Sequence, residues 1–124
     1  MVFDRNKNFE FIKSELPPIG IIKYLAESKV KSKTINLNEK TFVVYTDGVT
    51  EGYLNNGQEL GVEGVKRIVK ELDVVTPKNI VDSIAAELNW GADKLRDDIT
   101  CLALDLKNTE LISQKNKNKE EAKN

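Results

Sequence analysis

Histidine is absent from all 124 residues of the chain. That absence removes histidine general bases, histidine metal ligands and Ser-His-Asp triads together. There is one cysteine, Cys101, so no intramolecular disulfide can form, which fits a reducing compartment. No apolar run approaches the roughly 20 residues that a membrane-spanning helix needs. The opening Met1-Val2-Phe3-Asp4-Arg5 lacks the charged-then-apolar pattern of a secretion signal. The expectation is a cytoplasmic protein with no membrane span. The formal net charge is only −1 and the two signs are mixed along the chain. Nothing resembles the basic stripe that neutralises a phosphate backbone, so nucleic acid is not an expected partner.

What is present is one small domain and a tail. Residues 114–124 are Gln, Lys, Asn, Glu and Ala, with no large apolar side chain to offset the entropy of ordering. The expected boundary places a folded unit over 1–107 and a disordered charged tail over 108–124. Within the folded unit, Phe9-Glu10-Phe11-Ile12 reads as a short strand, and the polar turn before it makes Val2-Phe3 the end of another. Leu16-Pro17-Pro18-Ile19-Gly20 is a rigid, non-helical connection. A loosely alternating strand is expected within 29–37, carrying Val30, Ile35 and Leu37. Residues 41–46, Thr-Phe-Val-Val-Tyr-Thr, are β-branched and aromatic and apolar on both faces, the pattern of a strand covered on both sides.

Two helices follow. Val62, Val65, Ile68, Val69 and Leu72 recur at helical spacing. Thr76-Pro77 then reads as a hydroxyl N-cap with proline at the first helical position, followed by Ile80, Val81, Ile84, Ala85 and Leu88 as a buried stripe. Gly91 is the expected stop. A last strand over 99–106 alternates Leu102, Leu104 and Leu106 on one face with Cys101 and Ala103 on the other. The small residues on that second face imply a closely packed layer. The fold class expected from this order is α+β.

Two acidic positions stand at the mouths of strands: Asp47, followed by Gly48, and the pair Asp97-Asp98. Carboxylates without histidine or thiolate partners suit hard cations such as magnesium or manganese. The competing reading is plain turn chemistry, since Asp-Gly after a strand is a common hairpin turn and an Asp pair is readily solvated. Cys101 lies in an apolar strand, where a thiol acts as a small hydrophobe. Trp90 reads as packing, and Tyr53 and Glu51 as solvated loop.

The run Tyr45-Thr46-Asp47-Gly48-Val49-Thr50-Glu51 resembles a signature of the metal-dependent protein phosphatases (protein phosphatase type 2C), in their bacterial stage II sporulation protein E branch. Leu16-Pro17-Pro18-Ile19-Gly20-Ile21 resembles the connection before that signature. Gly57-Gln58-Glu59-Leu60-Gly61 resembles the lead into the next helix, and Asp97-Asp98-Ile99-Thr100 the last metal motif. Four motifs in one order are more specific than any of them alone.

The resemblance implies part of an α-β-β-α layered sandwich with central antiparallel sheets. It implies Asp47 and Asp97 as metal ligands, Gly48 as the place where the backbone comes close to the metal shell, and Asp98 as an orienting group or further ligand. Two Mn²⁺ or Mg²⁺ ions and hydrolysis of phosphoserine or phosphothreonine by a metal-bound hydroxide are the implied chemistry. The implied substrate is a phosphorylated regulatory protein, of the anti-anti-sigma type. No residue is assigned to substrate binding.

The chain also departs from the family pattern. The upstream Asp-rich strand motif, the Gly-Asp motif ending in His-Gly, and the Asn-Ala-Gly-His segment are not among these residues, and Lys40-Thr41 stands where Gly-Asp is usual. The expectation is a C-terminal half, inactive as an isolated chain and associating with the missing N-terminal half or with a second copy. A non-catalytic binding module of the same fold is the other reading of the same residues.

Overall fold

The computed structural model describes residues 1–26, 29–88 and 98–106. Its element order is β1 (Val2–Asp4), β2 (Phe9–Glu10), β3 (Lys40–Tyr45), α1 (Asp47–Thr50), α2 (Gly61–Glu71), α3 (Pro77–Glu87) and β4 (Cys101–Asp105). The strands form one antiparallel sheet in the order β2-β1-β3-β4, so the fold is α+β as the alternation of strand and helix signals implies.

The β1–β2 hairpin closes on an Asp side chain. Asp4 accepts backbone N–H bonds from Asn6 (2.8 Å) and Asn8 (3.0 Å) and a side-chain bond from Asn8 (2.9 Å), while Lys7 takes the left-handed conformation at φ 59°. These bonds hold the Asp4 carboxyl below the usual carboxylate range, the Asn8 side chain contributing most. Lys7 then reaches across to the end of α2, its ammonium donating to the carbonyls of Lys70 (2.6 Å) and Leu72 (2.9 Å). Cations satisfy orphan carbonyls at helix C-termini in this way.

The segment expected as a strand within 29–37 is not one. Val30 is exposed and Ile35 and Leu37 are only half-buried, with no strand partner. Its alternation is too loose, and too interrupted by Lys31, Ser32 and Lys33, to hold a face against the core.

α2 and α3 form where the periodicity places them. Thr76 caps α3 by accepting from the Asn79 N–H (3.1 Å), with Pro77 at the first helical position. Arg67 on α2 pairs with Glu71 (3.1 Å) and with Glu87 of α3 (3.1 Å), tying the two helices at their surface. The helices cover one face of the sheet. Their Val65, Ile68, Val69, Ile80, Ile84 and the following Leu88 pack with Phe3, Val43 and Val49 into one core, and Tyr45, Cys101 and Ala103 lie against it. The small side chains of β4 do face a close layer, and that layer is the helices. Burial pushes the Cys101 thiol pKa up, in keeping with its reading as a hydrophobe.

The opposite face is not covered as the two-sided pattern of β3 predicts. Val2, at the β1 side, is buried, but Val44 is 45% exposed, Leu102 61% and Leu104 43%. β3 is an inner strand; β4 is at the edge of the sheet among the described residues. Trp90, Gly91, Ser28 and the tail over 108–124 lie outside the described residues.

Candidate functional site

The last rungs of the β3–β4 ladder set the site. Tyr45 pairs with Cys101, and one residue further on the Thr46 N–H donates to the Thr100 carbonyl (3.0 Å). The Thr46 hydroxyl accepts from the Thr100 N–H (3.1 Å) and donates to the Asp98 carbonyl (3.3 Å). One threonine therefore ties the end of β3 to the approach to β4. Its carbonyl also accepts the Val49 N–H (3.0 Å), which starts the single turn of α1. Asp47 is the first residue of that turn, and its own carbonyl takes the Glu51 N–H (2.7 Å) and the Thr50 hydroxyl (3.2 Å). A helical turn, rather than a hairpin, follows the Asp-Gly pair.

Gly48 is where the two segments touch. A Cβ built on it would lie 2.3 Å from the Asp98 carbonyl oxygen and 3.0 Å from its carbon. No side chain fits there, and Gly48 is buried. The resemblance implies an approach of this glycine to the metal shell; what it approaches among the described residues is the backbone of residue 98. Gly52 is similarly confined, with Leu88 Cδ2 2.4 Å and the Gly48 carbonyl 3.0 Å from its Cβ position.

Asp47 and Asp98 are both exposed, on segments held against each other by Thr46 and Gly48. Asp97, the other ligand candidate, lies outside the described residues. Beneath them Tyr45 sits half-buried opposite Cys101, and burial raises its phenol pKa, with a smaller contribution from Cys101. Further along, Tyr53 bridges to Glu59 across a tight turn in which Gly57 takes φ +80°. Leu60 returns its N–H to the Gly52 carbonyl (2.8 Å) and so anchors the lead into α2.

The donors available are carboxylate and carbonyl oxygens, the kind that hard divalent cations take. Among the described residues, no three His, Cys, Asp or Glu side chains converge. The donor set therefore fits Mg²⁺ or Mn²⁺ in kind and falls short of the roughly six oxygens each ion takes. The residue that sequence reasoning passed over is Thr46. It belongs to the quoted signature, and a hydroxyl at a strand end just before a helical turn is a recognisable cap-type signal. Here the hydroxyl serves the neighbouring segment instead of the α1 N–H groups, for no side-chain cap bond is formed.

An antiparallel sheet backed by two helices, with acidic residues gathered at the ends of two paired strands, defines an α+β domain with a strand-end acidic site. The chain belongs to the Stage II sporulation protein E (SpoIIE) family, whose family model matches residues 1–107. No curated protein and no solved structure matches the chain. Among the described residues, no helix is long and apolar enough to cross a membrane.

Proposed function

We propose that the chain is the C-terminal half of a metal-dependent protein serine/threonine phosphatase domain, with Asp47 and Asp97 as ligands to Mn²⁺ or Mg²⁺. The observation that carries this reading is the contact of the Asp98 carbonyl with Gly48, which brings Asp98 to the turn that bears Asp47. Family membership over 1–107 supports it. The ions, once bound, would offset the charge of a phosphoryl group and activate a water. Thr46 and Gly48 are positioning residues: they hold the two acidic segments against each other. The substrate class is a phosphorylated regulatory protein, of the anti-anti-sigma type.

Two carboxylates do not complete the coordination of two hard ions. The isolated chain is therefore inactive, and the remaining ligands come from the N-terminal half of the domain. The test uses the chain alone, with Asp47→Asn and Asp97→Asn variants. Manganese at ten times its dissociation constant stabilises a one-site protein by about 1.4 kcal/mol. The parent melt should rise by several degrees and the two variants should not follow. An equal rise in parent and variants removes the assignment of these ligands. Manganese-dependent hydrolysis of a phosphoserine peptide by the chain alone refutes its incompleteness.

A further inference from the structure

The outer edge of β4 carries a second property, independent of the metal reading. Backbone groups of alternate residues in an antiparallel strand point to opposite neighbours. Val43 exchanges both its backbone bonds with Met1 (2.8 and 3.0 Å), so its groups turn toward β1. Thr46 turns toward Thr100, and by alternation so do Phe42 and Val44 toward Leu104 and Leu102. That leaves the N–H and C=O of Cys101 and Ala103 aimed at the outer edge, where no described strand pairs.

Natural edge strands are protected by charged side chains, lysine above all, by proline, bulges or extreme shortness, or by a covering helix or loop. Among the described residues β4 has no lysine, proline, bulge or covering strand, and its one charged residue, Asp105, stands at its end. Its residues are Cys-Leu-Ala-Leu-Asp, and each matches one residue of β3 without a bulge. Its outer face adds Leu102 and Leu104, both exposed.

We propose that two copies of this chain pair along β4, antiparallel, about a two-fold axis at Ala103. The occupant follows from the sequence of the strand. An isologous antiparallel joint pairs the strand with its own reverse, and Leu-Ala-Leu reads the same both ways. With Ala103 opposite Ala103 of the other copy, the outward backbone groups of each meet as a hydrogen-bonded pair. Leu102 then lies opposite Leu104 of the other copy, twice, on the open face. Apolar cross-strand pairs stabilise such joints. The net charge of −1 per chain sets up little repulsion between copies. The result is a continuous eight-stranded sheet from two four-stranded ones.

The register makes the test specific. Leu102 and Leu104 of opposite copies occupy a non-hydrogen-bonded pair, with Cα atoms about 4.5 Å apart. That spacing lies inside the disulfide range. Leu102 and Leu102 of the two copies are diagonal, with Cα atoms about 7–8 Å apart, and lie outside it. In a Cys101→Ala background, Leu102→Cys with Leu104→Cys should give a closed covalent dimer under mild oxidation, and Leu102→Cys alone should give little. In sedimentation, the parent should pass from monomer to dimer with concentration. Leu102→Lys with Leu104→Lys, at exposed positions, should melt like the parent and remain monomeric. A parent that stays monomeric at all concentrations overturns the proposal. So does a dimer that survives the two lysines, or a single-cysteine variant that cross-links as readily as the double.

Discussion

Gly48→Ala isolates the contact on which the site is built. The added methyl carbon falls 2.3 Å from the Asp98 carbonyl oxygen, so one segment must yield by about 0.7 Å to reach the shortest separation real Cβ atoms show. The obstructing atom is backbone, held by its bond from the Thr46 hydroxyl, by the bond of Thr100 to Thr46, and by the β4 ladder that begins one residue further on. Overpacking of this kind costs about 1–3 kcal/mol. Alanine also gains up to about 1 kcal/mol over glycine in a helix interior, and less in a single turn. The net expectation is a loss of about 1–2 kcal/mol. For a domain of this size, that lowers the melting temperature by about 5–15 °C. Thermal and urea unfolding with a shared two-state fit measure it. Gly64→Ala is the control. Its Cβ would meet Leu60 Cδ1 at 2.5 Å and Cγ at 2.9 Å, so the buried Leu60 side chain must shift, but no backbone atom stands in the way. Its position inside α2 brings the full propensity gain, so the loss there should be smaller than at Gly48. If Gly48→Ala melts at or above the parent, the close packing of the two acidic segments is not what the glycine is for.

Two further outcomes follow from bonds already described. Thr76→Ala removes the α3 N-cap, whose hydroxyl accepts the Asn79 N–H, and should cost about 1 kcal/mol in urea unfolding. Asp4→Ala tests the hairpin through pH. The folded-state pKa of Asp4 is depressed, so its stabilisation is present above the ordinary carboxylate pKa and fades as pH falls through the lowered value. The melting gap between parent and variant should be full at neutral pH and close in acid; a gap that persists unchanged in acid rules out the Asn8 bonds as its source.

The elements legible in the sequence are those whose signals are local. Thr76-Pro77 announces α3, the valine and isoleucine spacing announces α2, and the Leu-Ala-Leu alternation announces β4 and its two unlike faces. The segment over 29–37 misled because apolar residues at approximate spacing were present without a partner strand to pair with them. The site divides in the same way. Asp47 and Asp98 were legible as acidic strand-end residues. What Gly48 approaches was not legible, because residues 48 and 98 meet only after β3 and β4 pair. The role of Thr46 is a tertiary fact of the same kind, its bonds spanning 52 and 54 residues of chain.

The open face of the sheet and the shortfall of ligands are connected through β3. Phe42 and Val44 alternate with Thr41, Val43 and Tyr45, so the strand that leads to Asp47 is packed on one side by helices and left half in water on the other. Full burial of a Val or Leu side chain is worth about 1.5–3 kcal/mol. Val44, Leu102 and Leu104, each roughly half exposed, leave a sizeable part of that unrealised along the two strands that also position the acidic segments. A partner that covers this face lies against residues only three positions from Asp47. Pairing along β4 enlarges the face by joining two of them but leaves it open. Under the proposed function, one apolar layer whose rim carries carboxylates, arriving over Val44 and Leu102, would both bury that face and complete the ligand set.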